Sequence, residues 1–323
     1  MKINFSLWSA GISGGNRTIY QLTNKLTEHG HDVSITSLAI GGTHEWFGEV
    51  NADFNYVGLN VFQKAARKFL LVPRWDVDWA RRLAEAIPEC DVNVATYCFT
   101  AYPVLWSGKG KPFYFVQGYE PRFFENEIDR NLSKLTYDLP LKRLVVSHWL
   151  EQKVGGFYVG NGVDLSQFNF KEKLEKPFVL FFAKGEHWLN RLRKVMAAES
   201  VSYEFLVVDG ELNVKQMLDA YRRAWVIVFV SDAEGFGLVP LESMACGTPV
   251  VSSFCSGVEE YLVDGVNGLT VPVGSPIVEY LEKAEFVLAR EDVYNRLVKG
   301  GFETARQHDF ESVVNRFEEA VKR

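Results

Sequence analysis

The chain has 323 residues, 47% of them hydrophobic and 14% aromatic, with a formal net charge of −6. That length suits two cores rather than one, and that composition excludes a disordered chain. The acidic balance argues against a general nucleic-acid binder, which needs a basic face to neutralise phosphates. Four cysteines, Cys90, Cys98, Cys246 and Cys255, form no Cys-x-x-Cys pair and sit in apolar settings, as reduced thiols of a cytosolic protein do. No apolar run reaches about 18 residues, so neither an export signal nor a membrane span is expected.

In chain order, "KINFSL" reads as a buried strand, "GGNRTIYQLTNKLTEHG" as a helix closed by Gly30, and "HDVSITSL" as the next strand. Further strands are expected at "DVNVATY", "KPFYFVQ" and "RLVVS". This βαβ rhythm implies a mostly parallel sheet covered on both faces. "GFYVGNGVDLSQFNFKEKLEKPFVLFF" interrupts the rhythm with a turn and a charged stretch, which places a boundary at Asp164. The rhythm restarts with "FVLFFA", "YEFLVV", "WVIVFVS", "TPVVSS" and "GLTVPV". The expectation is an α/β protein of two doubly wound, Rossmann-like domains, 1–164 and 165–308. An amphipathic helix over 309–323 follows, with Val313, Val314, Phe317 and Val321 on its apolar side.

In open parallel sheets ligands meet the loops at the carboxyl ends of strands. The first such loop, "WSAGISGGN", sets Gly11, Gly14 and Gly15 between a strand and a helix, where amides and the helix dipole can hold a diphosphate. A plain tight turn is the alternative. The pattern is not G-x-G-x-x-G, and no acidic residue closes the second strand where an NAD ribose would be gripped. The second loop is "EGFGLVPLESMACGTPVV", which leads into a helix starting near Leu238. Gly235 and Gly237 allow a sharp turn that aims the amides of Phe236, Gly237 and Leu238 at an anion. Glu234 could accept from hydroxyls of a neutral group on that anion, and Glu242 could grip a vicinal diol. Diphosphate, hydroxyls and diol together describe a nucleotide sugar. Taken singly, Glu234 also reads as an acid favoured by the helix dipole and Glu242 as part of a solvated helix face.

The stretch "SDAEGFGLVPLESMACGTPVVSSFCSGVEEYLVDGVNGLTVPV" resembles the glutamate-x7-glutamate segment of the retaining glycosyltransferases of family 4. "SGGNRTIYQLTNKLTEHGHDVSIT" and "VVSHWLEQKVGGFYVGNGVDLSQF" resemble two further segments of that family, and "YFVQGYEPRFF" is similar to a stretch of some bacterial polysaccharide rhamnosyltransferases in it. The resemblance implies the GT-B fold, two domains facing across a cleft, with the terminal helix returning to the first. It implies metal-independent, retaining transfer of a sugar from a nucleotide-diphosphate sugar to a hydroxyl of a glycan or lipid-linked glycan, without a cofactor.

By this resemblance Glu234 contacts the transferred sugar, Glu242 the ribose, Gly235 to Leu238 the sugar and phosphate, and Gly14 and Gly15 the diphosphate. It also asks for two cations after the first strand of the second domain. Here "FFAKGEHWLNRLRK" offers Lys184, then Arg191 with Arg193 as the alternative; such charges balance a departing diphosphate. Where many relatives carry a histidine, this chain has "QGYE". Gln117 and Tyr119 then stand on the acceptor side, and the base is either Glu120 or the departing phosphate. That departure leaves an inactive, donor-binding partner subunit as the alternative. An NAD-dependent oxidoreductase and a nucleotide-sugar epimerase are the remaining readings.

Other features have plainer readings. Asp76 and Asp78 in "DVD" read as helix-start acids rather than a metal motif, and His29 and His31 as a helix C-terminus. "FQKAARKFLLVPRW", within 62–75, joins cations and aromatics. It reads either as a segment lying on an anionic membrane at its cytoplasmic face, suited to a lipid-linked acceptor, or as a half-buried helix.

Overall fold

The computed structural model describes residues 1–40, 42–58, 77–170, 178–183, 186–198, 204–208 and 212–323. The chain divides into two compact units, Met1–Val159 with Val314–Arg323, and Gly160–Val313.

In the first unit the described strands are β1 (Lys2–Leu7), β2 (Asp32–Leu38), β3 (Asp53–Val57), β4 (Val92–Ala95), β5 (Lys111–Val116), β6 (Lys142–Val145) and β7 (Phe157–Tyr158). They form one sheet in the order β3-β2-β1-β4-β5-β6-β7, parallel at every pairing, with Ile3 opposite both Val33 and Val92. The helices are α1 (Gly14–Glu28), α2 (Val77–Ala86), α3 (Cys98–Ser107), α4 (Glu127–Leu135) and α5 (His148–Val154). Sandwiching the sheet explains why β5 is apolar and buried from Phe113 to Val116. Ser13 caps α1 by accepting from the Asn16 amide at 3.0 Å, and Asp78 lies in the first turn of α2, where the helix dipole favours an acid.

The sheet's interior is not wholly apolar. Asn4 is fully buried in β1, donates to Asn93 Oδ1 at 2.9 Å and to Ser6 Oγ at 3.1 Å, and accepts from Thr36 Oγ1 and Ser34 Oγ. The network ties β1, β2 and β4 together, and its members satisfy one another where water is excluded.

The second unit holds β8 (Phe178–Ala183), β9 (Glu204–Val208), β10 (Val226–Val230), β11 (Val250–Phe254) and β12 (Leu269–Pro272), in the parallel order β12-β11-β10-β8-β9. Its helices are α6 (Glu186–Ala198), α7 (Val214–Arg223), α8 (Leu238–Ala245), α9 (Ile277–Ala289) and α10 (Glu291–Gln307). Val179, Phe181, Val226, Val228 and Val251 from the sheet join Trp188, Leu192, Tyr280 and Leu281 from α6 and α9 in one apolar core. The last helix, α11 (Phe310–Lys322), buries Val313, Val314, Phe317 and Val321, and Phe317 lies 5.8 Å from Phe5 of β1. Among the described residues no helix is long and apolar enough to cross a membrane.

Both sheets reverse direction once. In the first the chain leaves β1 toward β2 and returns to β4 on the other side of β1; in the second it leaves β8 toward β9 and returns to β10. At such points the loops diverge and open a crevice at the strands' carboxyl ends.

Candidate functional site

In the second unit β10 delivers the chain to Glu234 through Ser231 and Asp232. Glu234 is 8% exposed, and Ser231 Oγ donates to its Oε1 at 2.8 Å. Its backbone is held as firmly as its side chain. The Glu234 amide donates to Ser256 Oγ at 2.8 Å, and that hydroxyl donates back to the Glu234 carbonyl at 2.8 Å. The Gly257 amide reaches the same carbonyl at 3.1 Å. Ser256 has φ of 35°, the one non-glycine among the described residues in the left-handed region. This strain is maintained where two loops are cross-tied.

Beyond Glu234 the chain turns through Gly237, whose φ of 88° a larger residue resists, and enters α8 at Leu238. A Cβ on Gly237 would lie 2.5 Å from Val258 Cγ2. The Tyr261 hydroxyl donates to the Gly237 carbonyl. Burial, with added repulsion from Glu234, Cys255 and Glu242, holds that hydroxyl well above the phenolic range, so it stays protonated and able to donate. The Phe236 ring packs 5.3 Å from Tyr261 and 5.9 Å from His308, so the ring is committed to this packing. No side chain caps the start of α8 and its first turn holds no acid, which leaves the helix dipole facing outward.

Glu242 is 2% exposed and receives the Tyr221 hydroxyl on Oε2 at 2.9 Å. This overturns the solvated-face reading of that position: α8 buries it against α7, where a carboxylate survives through hydrogen bonds. Tyr221, Ser256, Gly257 and Tyr261 escaped the sequence reading, because a tyrosine on an apolar helix face and a serine before glycine look ordinary in sequence.

Of the two expected cations, Lys184 lies outside the described residues. Arg191 is exposed on α6 with its guanidinium 4.8 Å from the Trp188 ring centre; Arg193 is also exposed and donates to Asn190 Oδ1 at 3.2 Å.

In the first unit Gly14 and Gly15 open α1 after β1. A Cβ on Gly15 would lie 3.3 Å from Gln117 Nε2, so the glycine loop and the "QGYE" segment meet. Gln117 and Tyr119 are half-buried, and Tyr119 stands among Tyr137, at 6.1 Å, and Trp149, at 6.3 Å. Glu120 requires a correction. It is 2% exposed, its carboxyl accepts from Tyr114, and its amide donates to the Tyr137 hydroxyl at 3.2 Å. Burial pushes the carboxyl up to about 8, against the lowering effect of hydrogen bonds from Tyr114 and Cys98. Enclosed in this way it holds its own loop and is withdrawn from an acceptor.

His29 and His31 are absorbed elsewhere: His29 caps α1, and both rings reach Glu318 Oε1 of α11, at 2.8 and 3.1 Å. Segment 62–75, with its membrane reading, lies outside the described residues.

The two-unit arrangement of parallel sheets is shared with GT-B glycosyltransferases. The sucrose-phosphate synthase of Thermosynechococcus elongatus matches with a TM-score of 0.78 and 16% identity over 100% of this chain and 98% of that one. Anabaena HepE in complex with UDP-glucose matches with a TM-score of 0.73 and 14% identity, over 100% and 99%. More particularly, residues 162–304 match the family model of the glycosyl transferases group 1. An uncharacterized glycosyltransferase of Methanocaldococcus jannaschii is 24% identical over 206 residues, 60% of this chain and 55% of that protein. A D-inositol 3-phosphate glycosyltransferase of Geodermatophilus obscurus is 40% identical over 82 residues, 25% of this chain and 18% of that one. The chain thus aligns with about half, or less, of the length of these relatives.

Proposed function

We propose that the chain is a nucleotide-sugar-dependent glycosyltransferase, transferring a sugar to an acceptor hydroxyl of a glycan or lipid-linked glycan with retention and without a metal. The observation that carries this reading is the fixed, buried Glu234 ahead of an uncapped helix start, with a second buried carboxylate, Glu242, one turn into that helix. It lies inside the segment that matches the group 1 family, and structures of similar fold were solved with UDP and UDP-glucose.

As the glycosidic bond breaks, negative charge grows on the departing diphosphate. Amides of Phe236, Gly237 and Leu238 and the dipole of α8 oppose that charge without reorganising, and Lys184 and Arg191 add positive charge. Glu234 holds hydroxyls of the transferred sugar, and Glu242, oriented by Tyr221, holds the ribose. Gly14 and Gly15 let the diphosphate approach a backbone with no side chain in the way. Gln117 and Tyr119 bind the acceptor. Gln117 takes no proton at neutral pH, and with Glu120 enclosed, the departing phosphate receives the acceptor's proton.

The test is release of nucleoside diphosphate from UDP, GDP, ADP and dTDP sugars, with and without acceptor glycans, and the anomeric configuration of the product by NMR. Glu234→Gln is expected to lower turnover about 10²-fold or more. Failure of every nucleoside diphosphate to bind would defeat the reading.

A further inference from the structure

We propose that Glu120 is a positioning residue for the acceptor: gripped by Tyr114, Cys98 and Tyr137, it fixes the loop that carries Gln117 and Tyr119. The assignment rests on the transferase reading above, which gives those two side chains to the acceptor. β5 ends at Val116, and the chain crosses Gln117, Gly118 and Tyr119 before a 3-10 turn opens at Glu120. The loop is therefore pinned at two points, by the sheet at one end and by Glu120 at the other.

Three elements meet at the second pin. From β5, the fully buried Tyr114 donates its hydroxyl to Glu120 Oε2. From α3, the thiol and the amide of Cys98 both hydrogen-bond the same carboxyl. From the turn Thr136–Asp138 after α4, the Tyr137 hydroxyl accepts the Glu120 amide at 3.2 Å. The rings carry this order outward. Tyr137 lies nearly parallel to Tyr114, at 5.9 Å and 15°, and to Tyr119, at 6.1 Å and 13°, while Trp149 of α5 meets Tyr119 edge-on at 6.3 Å. A Cβ on Gly118 would lie 3.0 Å from Phe123 Cζ, so the loop rests against the turn that follows it. Tyr119 takes its orientation from Tyr137 and Trp149, and Tyr137 is in turn tied to Glu120.

Charge makes the grip conditional. Among the described residues no cation is paired with Glu120. Burial holds Tyr114 and Cys98 well above their ordinary ranges and raises Tyr137 likewise, so all three groups facing the carboxyl stay protonated. The charged neighbours are engaged elsewhere: Asp129 of α4 accepts from Asn126 Nδ2 at 2.7 Å, Arg143 of β6 donates to the Tyr137 carbonyl, and Arg122 and Lys153 lie over the Trp149 ring. In the closed loop burial pushes Glu120 up to about 8, because ionisation there leaves an unpaired carboxylate without water. An opened loop hydrates the carboxyl and returns it to its ordinary 4.5. Closure therefore retains a proton: it is strongest below about 4.5 and weakens as pH rises toward 8, by up to about tenfold per pH unit.

The experiment follows amide hydrogen exchange of residues 117–124 by mass spectrometry in the wild type, Glu120→Gln, Glu120→Ala and Tyr114→Phe between about pH 5.5 and 9.5. The same proteins are assayed with UDP, GDP, ADP and dTDP sugars and with octyl glycosides of glucose, galactose, mannose and rhamnose as acceptors. Melting temperatures confirm that each variant is folded. After correction for intrinsic exchange, wild-type protection is expected to fall about tenfold or more from pH 6 to 8 and then level, whereas Glu120→Gln, uncharged at every pH, stays level throughout. Tyr114→Phe removes a hydrogen bond that favours the ionised carboxyl, so its fall should continue beyond pH 8. Acceptor KM should mirror protection, rising with pH in the wild type and staying level in Glu120→Gln, while Glu120→Ala raises it about tenfold at pH 6 with donor KM little changed. Equal protection of wild type and Glu120→Gln at every pH overturns the grip on the loop. A pH-dependent loop with an acceptor KM that does not follow it overturns the positioning role and leaves the transferase reading intact. If no donor is turned over, the transferase reading fails and takes the acceptor role with it, and the exchange profiles still decide whether Glu120 holds the loop.

Discussion

Replacing Gly257 by alanine probes the tie that holds Glu234 in place. The added Cβ would lie 2.3 Å from the Gly235 carbonyl oxygen, 2.4 Å from its carbon and 2.5 Å from Phe236 Cα. Ordinary contact begins at 3.4 Å, so the two loops must part by about 1 Å; the obstacle is backbone on both sides, and no rotamer relieves it. Overpacking of this kind costs about 1–3 kcal/mol. At roughly 2–4 °C per kcal/mol for a unit of this size, melting should fall by about 2–12 °C. The same displacement acts on the carbonyl of Glu234, which accepts from Gly257 N, and on the turn that leads into α8. A 1 Å misplacement of a reacting group costs about 10² in rate. Urea denaturation and release of nucleoside diphosphate from the preferred donor measure the two effects on one sample. A Gly257→Ala protein with wild-type stability and wild-type turnover would refute the claim that this contact sets the position of Glu234.

Four further outcomes follow from other sites. A Cβ on Gly14 meets nothing within 4 Å, so Gly14→Ala should leave melting within about 0.5 kcal/mol of wild type while weakening nucleoside-diphosphate binding about tenfold; unchanged calorimetric affinity would remove the diphosphate from that loop. Tyr221→Phe withdraws a donor from the buried Glu242 carboxylate and should cost about 1–3 kcal/mol in urea denaturation. Burial pushes Glu120 up to about 8, so the unfolded chain releases this proton first: the stability it contributes is complete below about 4.5 and is lost as pH rises toward 8. Glu120→Gln should therefore flatten stability between pH 5 and 8.5, and an unaltered slope would contradict the burial argument. For Glu318 burial raises the carboxyl, but hydrogen bonds from His29, His31 and Lys322 outweigh it and hold it below its ordinary value. Its contribution is present at neutral pH and fades as pH falls through the acid range, so Glu318→Gln should be the less stable protein at pH 7, with the gap closing in acid denaturation.

Much of this architecture is legible from local pattern. Val226–Val230 within "WVIVFVS" and Phe113–Val116 within "KPFYFVQ" are apolar throughout because parallel strands covered on both faces have no solvent side, and that feature predicts the sandwiched sheets. The start of α8 at Leu238 follows from the glycines before it, and the terminal helix from its apolar spacing. The carboxylates were harder. The spacing of Glu234 and Glu242 marked them, yet in sequence Glu234 also fits an acid favoured by the helix dipole and Glu242 a solvated helix face. Only the meeting of α7 and α8, which puts Tyr221 against Glu242, shows that the second acid is buried. Glu120 failed in the opposite sense: beside Gln117 and Tyr119 it looks like an acceptor-side base, but Tyr114 and Tyr137 enclose it.

What the amino-acid order determined by itself was the kind of element at each place and the glycine positions where chain turns; these depend on side-chain periodicity and backbone sterics within a few residues. What the tertiary structure alone decided was the setting of each polar group. The hold of Ser256 on Glu234, and of Asn93, Ser34 and Thr36 on Asn4, joins residues 22 to 89 positions apart. A hydrogen bond or a buried charge takes its energy from the atoms that surround it in space, and for these groups the surroundings come from distant parts of the chain.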